Sequence, residues 1–225
     1  SDEMDLTEAD RNRMKIARLD LNKEGERGLH DNQIELISVV EHMDADLSFQ
    51  WAAGDRVRSV RIAIRAAKLL GHNNIPQCYP SVFVLAATVL DTFGDNVSTR
   101  VLQSAAQDNF VVAKMLERGE EPDVGLIPPA AVEMCNNWFL KIMSIRELLP
   151  RIYVEISLLK CYKYVLRKLR IPSLESDVAR LAMQIRGVAD PLVAMHTRWY
   201  LFMRAADVLR PELGRNWAAP LVQCC

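Results

Sequence analysis

Apolar side chains recur every three to four residues along almost all of this chain, and glycine and proline fall at intervals that punctuate the periodic runs. A backbone patterned in this way buries its apolar surface as amphipathic helices. Strand signals are nearly absent, and no Asn-Gly or Asp-Gly hairpin turn occurs. The clearest helix is predicted from Leu174 to about Arg186. Ser173 is placed to cap it, Glu175 and Asp177 sit in the first turn where the helix dipole favours anions, and Val178, Leu181, Ala182 and Ile185 form one apolar stripe. Gly187 is read as the glycine that closes it. Asp190-Pro191 starts the next helix, a capping carboxylate followed by a proline whose missing N–H costs nothing in a first turn. Leu192, Met195, Trp199, Phe202, Ala206 and Leu209 follow at helical spacing, and Pro211 is expected to stop the run. Two helices joined by so short a turn pack antiparallel.

The same grammar recurs upstream. Asp31 to Trp51 reads as a helix preceded by a polar loop from Asn22 to His30, and Val57, Val60, Ile64 and Ala67 stripe a second helix that ends near Gly71. Pro80 to about Thr99 and Val101 to Arg118 read as two more, divided near Ser98. A loop rich in Gly, Glu and Pro, Gly119 to Pro129, separates these from Ala131 to Arg146. Pro150 removes a hydrogen bond to Arg146 and clashes with that turn, so Pro150 to Leu169 is expected as a new helix. The chain therefore divides into an N-terminal helix and loop over 1–30 and a run of helix pairs over 31–225, with an internal loop at 119–129. The fold class is all-α, and on periodicity alone both a closed bundle and a stack of helix pairs fit it.

Composition narrows the chemistry. With 28 Lys plus Arg against 29 Asp plus Glu the formal net charge is -1, which gives no global attraction to nucleic acid or anionic lipid. The acidic opening Ser1-Asp2-Glu3-Met4-Asp5 lacks a secretory pattern, and the longest stretch without charged residues, Leu69 to Leu90, is broken by Gly71, Asn73, Asn74, Pro76, Gln77 and Pro80. Neither export nor a membrane crossing is expected. The five cysteines, Cys78, Cys135, Cys161, Cys224 and Cys225, are odd in number and suit reduced, inert thiols. Val222 stands where a Cys-a-a-X prenylation signal needs cysteine, so the terminal pair is read as a truncated end rather than a lipid anchor.

Phosphate-binding glycine motifs, the nucleophile elbow and His-Glu-x-x-His are all missing. His30, His42, His72 and His196 stand far apart and away from any Cys-x-x-Cys, so no metal site is expected, and His196 reads as a packing residue. Asp44 and Asp46 point to different sides of a helix and do not pair for acid–base work. The sequence thus yields no catalytic residue, metal or cofactor. It does yield two basic stripes, Arg58, Arg61, Arg65 and Lys68, and Lys160, Lys163, Arg167 and Arg170; an ordinary solvated face accounts for each, and neither has interleaved aromatics for stacking bases. Arg151 and Glu155, four residues apart, are spaced for one ion pair.

The words of the C-terminal half are more specific. Leu149-Pro150-Arg151-Ile152-Tyr153-Val154 resembles the Pro-Arg-Leu-Tyr-Leu motif of the large α-solenoid subunit of retromer. At the right intervals come Arg186-Gly187-Val188-Ala189-Asp190-Pro191-Leu192 and Arg198-Trp199-Tyr200-Leu201, similar to that family's Arg-Gly-Val-x-x-Pro-Leu and Arg-x-Tyr-Leu elements. Asn137-Trp138-Phe139 and Tyr79-Pro80-Ser81 through Leu90-Asp91-Thr92-Phe93-Gly94 look like the paralogous scaffold subunit of retriever. The likeness runs from about Asp55 to Glu212.

The resemblance implies a HEAT-like α-solenoid of antiparallel helix pairs, of which this chain is the N-terminal fragment of a longer array. It implies a non-catalytic scaffold of a retriever, or Commander, complex that recycles cargo from endosomes, cytoplasmic and peripheral on the membrane. This end docks an arrestin-like β-sandwich subunit, and a metallophosphatase-fold subunit binds the far end. A COMM-domain and coiled-coil assembly and a sorting nexin are reached through the wider complex. Matched residue by residue, Pro150, Arg151, Ile152, Tyr153, Val154, Arg186, Gly187, Asp190, Pro191 and Leu192 carry over as the docking region. Apolar residues at helical period also keep a fold together, so of these Arg151, with its planar fork of donors, is the sharpest candidate for a partner contact. The competing readings are the retromer scaffold itself, a helical-bundle enzyme, and a helical nucleic-acid binder.

Overall fold

The computed structural model describes residues 26–71, 78–162, 164, 174–213 and 218. Helix α1 runs Glu26–Ala52 and α2 Arg56–Leu69, and Gly54, at φ 82, makes the turn between them. Asp55 caps α2 by accepting the Arg58 N–H at 2.9 Å. Helix α3 spans Tyr79–Asp108 and α4 Phe110–Glu117; after a 3-10 turn, Val124–Leu126, come α5, Pro129–Met143, and α6, Leu148–Ser157. Residues 159–162 are again helical, and α7, Leu174–Ile185, and α8, Pro191–Leu213, complete the array. No strand occurs among the described residues, and the fold is an all-α solenoid fragment with one continuous apolar core from Val40 on α1 to Leu209 on α8.

The predicted stripe of α7 is the observed one: Val178, Leu181, Ala182 and Ile185 are all buried. The cap of α8 is also as expected, with Asp190 accepting from the N–H groups of Leu192 and Val193 at 2.8 and 3.1 Å. Several boundaries differ. Glu26 to His30 is the opening of α1 rather than loop, so the helix crosses the expected boundary at residue 30. No break occurs near Ser98, because Val97, Val101 and Ala105 continue one buried stripe through it. The chain turns at Asn109 instead, whose side chain caps α4 at Val111 and donates to the Leu126 carbonyl at 2.9 Å. That bond ties the 119–129 loop back onto the helices, and Val124 and Ile127 of the loop are buried.

Three further expectations are corrected. Val57 is exposed and Val60 only half-buried, whereas Ile64 and Ala67 of the expected stripe are buried, together with Ser59, Ile62, Ala63, Ala66 and Leu69. Gly187 has no positive φ; α7 closes through a tightened turn, the N–H of Gly187 donating to the Gln184 carbonyl at 3.0 Å. Helix α8 continues past Pro211 to Leu213, since a proline near a helix end forfeits little more than its own hydrogen bond. Ser173, His72, Cys224, Cys225 and the stretch 1–25 lie outside the described residues.

All five tyrosines of the chain are held by the fold. Burial pushes the phenols of Tyr79, Tyr162, Tyr164 and Tyr200 well up, and that of Tyr153 up to about 12. Below the ordinary phenol value of about 10 this costs nothing; above it the unfolded chain ionises first, and stability falls as pH rises. Absorbance at 295 nm is expected to show no phenolate until helical circular dichroism collapses, the two signals moving together above pH about 10. A phenol titrating in chain that is still helical contradicts this.

Candidate partner-docking site

Helix α6 carries the Pro-Arg-Ile-Tyr-Val motif and lies at the centre of the array, touching α2, α3, α5, α7 and α8. From Pro150 to Ser157 every residue but Arg151 is buried. Pro150 falls in the first turn, where its missing N–H is tolerated. Tyr153 ties α6 to α8: its hydroxyl accepts from Thr197 at 2.9 Å and its ring lies 5.6 Å from that of Tyr200, while the Tyr79 hydroxyl of α3 donates to the Leu70 carbonyl at the end of α2 at 2.7 Å. The words that carried the resemblance also meet one another: Tyr200 donates to Asp91 at 2.9 Å, and Arg204 pairs with Asp91 at 3.4 Å. Burial pushes the Asp91 carboxyl above the usual carboxylate range against the pull of Arg204.

Glu155 is 1% exposed and does not pair with Arg151 as the spacing suggested. It turns inward to accept from Arg180 of α7 and from Tyr162, while Arg180 also reaches Asp177 at 3.3 Å. Hydrogen bonding to Glu155 and its charge hold the Arg180 guanidinium above its ordinary value despite the opposing effect of burial. This cluster ties α6 to α7.

Of the ten positions expected at the docking region, Pro150, Ile152, Tyr153 and Val154 are sealed inside. They shape the surface from beneath and have no face to offer a partner. Arg151 is half-buried, and its Nε, out of reach of solvent, has no hydrogen-bond partner. Arg186, Gly187 and Pro191 are exposed in the α7–α8 turn, Asp190 is spent on capping, and Leu192 is half-buried against the core. His196 packs edge-on to Tyr79 and Phe83 and bonds the Leu192 carbonyl through Nδ1 at 2.9 Å.

Sequence reasoning missed a cleft of about 370 Å³ between α2, α3 and α5. Arg56, Arg100, Lys141 and Trp138 line it, with Glu133 and Asn137. Arg56 lies over Trp51 at 3.9 Å, Trp51 stacks on Trp138, and Lys141 sits 5.3 Å from the Trp138 ring centre. Burial, then the neighbouring Arg100 charge, lowers the Arg56 guanidinium from its ordinary value. An anion placed between the two guanidinia relieves that repulsion. These cations come from three helices, so no local spacing announces them. Of the basic stripe that spacing did announce, Arg58 pairs with Asp55 at 3.4 Å and Lys68 with Glu147 at 2.5 Å, and Arg65 is partnered too. In the second stripe Lys160 pairs with Asp95 at 2.5 Å, and Lys163, Arg167 and Arg170 lie outside the described residues.

Among the described residues no cluster of His, Cys, Asp and Glu is arranged to hold a metal, and no helix is long and apolar enough to cross a membrane. Cys78, Cys135 and Cys161 are buried free thiols. Fold and site together define an all-α solenoid piece whose chemistry is concentrated in helix joints and a cationic cleft. Comparison with known proteins names the kind. Residues 2–219 match the family model described as VPS35L, and the chain belongs to that family. It is 38% identical over 201 residues to the VPS35 endosomal protein sorting factor-like protein of Dictyostelium discoideum, covering 88% of this chain and 19% of that protein. The Drosophila melanogaster protein of the same name is 39% identical over 195 residues, covering 86% and 20%, and the Homo sapiens one 34% identical over 217 residues, covering 94% and 22%. The chain thus spans about a fifth of the length of these relatives.

Proposed function

We propose that this chain is part of a non-catalytic scaffold subunit of a retriever-type complex for endosomal cargo recycling, and that its helices dock an arrestin-like β-sandwich subunit. Membership of the VPS35L family, whose relatives are named as endosomal sorting factors, supports the setting. The observation that carries the docking role is Arg151, the one residue between Pro150 and Ser157 that keeps part of its side chain outside. A guanidinium held so has donors to spend on another molecule. The exposed α7–α8 turn at Arg186, Gly187 and Pro191 supplies the second edge of this surface. The cationic cleft at Arg56, Arg100 and Lys141 offers an acidic segment of a further component a separate seat. In this reading the metallophosphatase-fold subunit binds elsewhere on the full-length protein, and the COMM-domain assembly and a sorting nexin join through the wider complex on the endosome surface.

Arg151→Ala in the full-length protein is expected to cut recovery of the arrestin-like subunit in pull-down at least tenfold, the equivalent of about 1.4 kcal/mol. Circular dichroism and melting temperature are expected to stay at wild-type values. Undiminished recovery contradicts the docking role, and a much earlier melt makes the residue a brace of α6 instead.

A further inference from the structure

The cleft between α2, α3 and α5 gathers three cations that the described array leaves without an anion. Arg56, Arg100 and Lys141 make no ion pair among the described residues, although Glu133 stands in the same wall. Their positions are nonetheless set: Arg56 donates to the Trp51 carbonyl at 2.6 Å and covers the Trp51 ring, and Lys141 lies beside Trp138. Cations at the helix joints are treated differently, since Lys68, Lys160, Arg180 and Arg204 each meet a carboxylate. Three positive charges against one glutamate draw in an acidic segment.

The chain carries such a segment itself. Asp2, Glu3, Asp5, Glu8 and Asp10 follow one another with no cation among them, whereas Arg11, Arg13, Lys15 and Arg18 come next. Of the stretch 1–25, residues 2–10 alone have the sign that the cleft attracts. Chain length allows the meeting. The cleft lies at the C-terminal end of α1, where Trp51 stacks on Trp138 with ring centres 6.0 Å apart. Helix α1 has 27 residues and is therefore about 40 Å long. Residues 11–25 span up to about 50 Å when extended, enough to return residues 2–10 along the whole of α1. A tether of this length sets a local concentration of order millimolar, so weak ion pairs suffice.

We propose that residues 2–10 occupy the cleft between Arg56, Arg100 and Lys141 of the same chain, so that an acidic segment of another component must displace them to enter. The seat is then guarded by its own polypeptide. This rests on the reading of the cleft as a seat for acidic segments; Arg151 plays no part in it, and docking there stands or falls separately.

The test uses the full-length protein, with labelled hexaglutamate as the probe and fluorescence anisotropy as the readout. Neutralising the segment by Asp2→Asn, Glu3→Gln, Asp5→Asn, Glu8→Gln and Asp10→Asn is expected to tighten hexaglutamate binding at least fivefold at low salt. The difference is expected to vanish at about 0.5 M salt, where screening is short-ranged. Adding Arg100→Glu and Lys141→Glu to the neutralised protein is expected to abolish binding. Equal affinity of wild type and neutralised protein overturns the proposal and leaves the cleft a seat for acidic segments. Binding that survives Arg100→Glu with Lys141→Glu, or no binding by any of the proteins, overturns the seat and the proposal together. The source of the occupant is read from p-benzoylphenylalanine placed at Leu6, in a mixture of isotopically light and heavy protein. A photo-crosslink to the walls of the cleft within one chain is expected; one between light and heavy chains, one elsewhere in the protein, or none overturns the proposal.

Discussion

Gly94→Ala is expected to destabilise this protein by about 3 kcal/mol, which for a chain of this size lowers the melting temperature by roughly 6–12 °C. On helix propensity alone the change would help, because alanine in a helix interior is favoured over glycine by about 1 kcal/mol. Packing reverses the sign. Gly94 lies within α3 where the C-terminal end of α6 crosses it, and a β-carbon there would sit 2.0 Å from the carbonyl oxygen of Ser157 and 2.9 Å from its carbonyl carbon. Both are backbone atoms, so no side-chain rotation relieves the contact. The Ser157 segment is pinned in turn, its hydroxyl donating to the Val154 carbonyl at 2.8 Å and α6 ending at Leu158. Two helices must separate, and the apolar contacts around Phe93, Val97, Ile156 and Leu159 loosen with them. Gly125→Ala is the control: nothing lies within 4 Å of its would-be β-carbon, and the change is expected to stay within about 0.5 kcal/mol. Urea unfolding of the three proteins measures both values, and equal stability of Gly94→Ala and wild type refutes the crossing as the reason for the glycine.

How far the fold is legible in the sequence depends on whether one helix face carries the answer. Helix α7 has a single apolar stripe, and Val178, Leu181, Ala182 and Ile185 are legible because only one orientation buries them. Helix α8 has two, and periodicity cannot rank them, so the spacing selects the side with Met195, Trp199 and Phe202 that the structure leaves outside. The division near Ser98 fails for a related reason: polar residues there face outward, and the stripe of Val97, Val101 and Ala105 continues beneath them. The end of α6 at Leu158 carries no local glycine or proline signal, and it falls where the Ser157 backbone lies against Gly94 of α3, far away in sequence. At the site, the motif helix is legible as a word, whereas which of its residues keep a surface is not. Burial of α6 from Pro150 to Ser157 is a property of five neighbouring helices, and within that stretch it leaves Arg151 alone with something to present. The cleft of Arg56, Arg100 and Lys141 is beyond reach for the same cause, since it exists only once α2, α3 and α5 are side by side.

Arg180→Met is expected to cost about 3 kcal/mol, nearly all of it through Glu155. The carboxylate is 1% exposed and accepts from Arg180 and Tyr162 through a single oxygen, its other oxygen being buried without a partner. Removing the guanidinium leaves a charge in the interior with one phenol to hold it, and an uncompensated buried charge is far more costly than a lost surface pair. The low end of the range for breaking a buried pair applies because the Arg180 side chain keeps 35% of its surface in water. Glu155→Gln combined with Arg180→Met removes the charge together with its partner, and the double variant is expected to recover at least half of the loss. A coupling of this kind identifies the pair as a joint whose members depend on each other, whereas additive effects in a double-mutant cycle by urea unfolding would mean that each side chain merely packs. The location of the pair sets the consequence for the array. Glu155 belongs to the motif helix and Arg180 to the pair that carries the α7–α8 turn, so the loss is expected to appear as faster amide exchange in α7 and α8 before α2 and α3 respond. Loss of protection in all helices at once would place the cluster in the common core rather than at the joint between neighbouring layers.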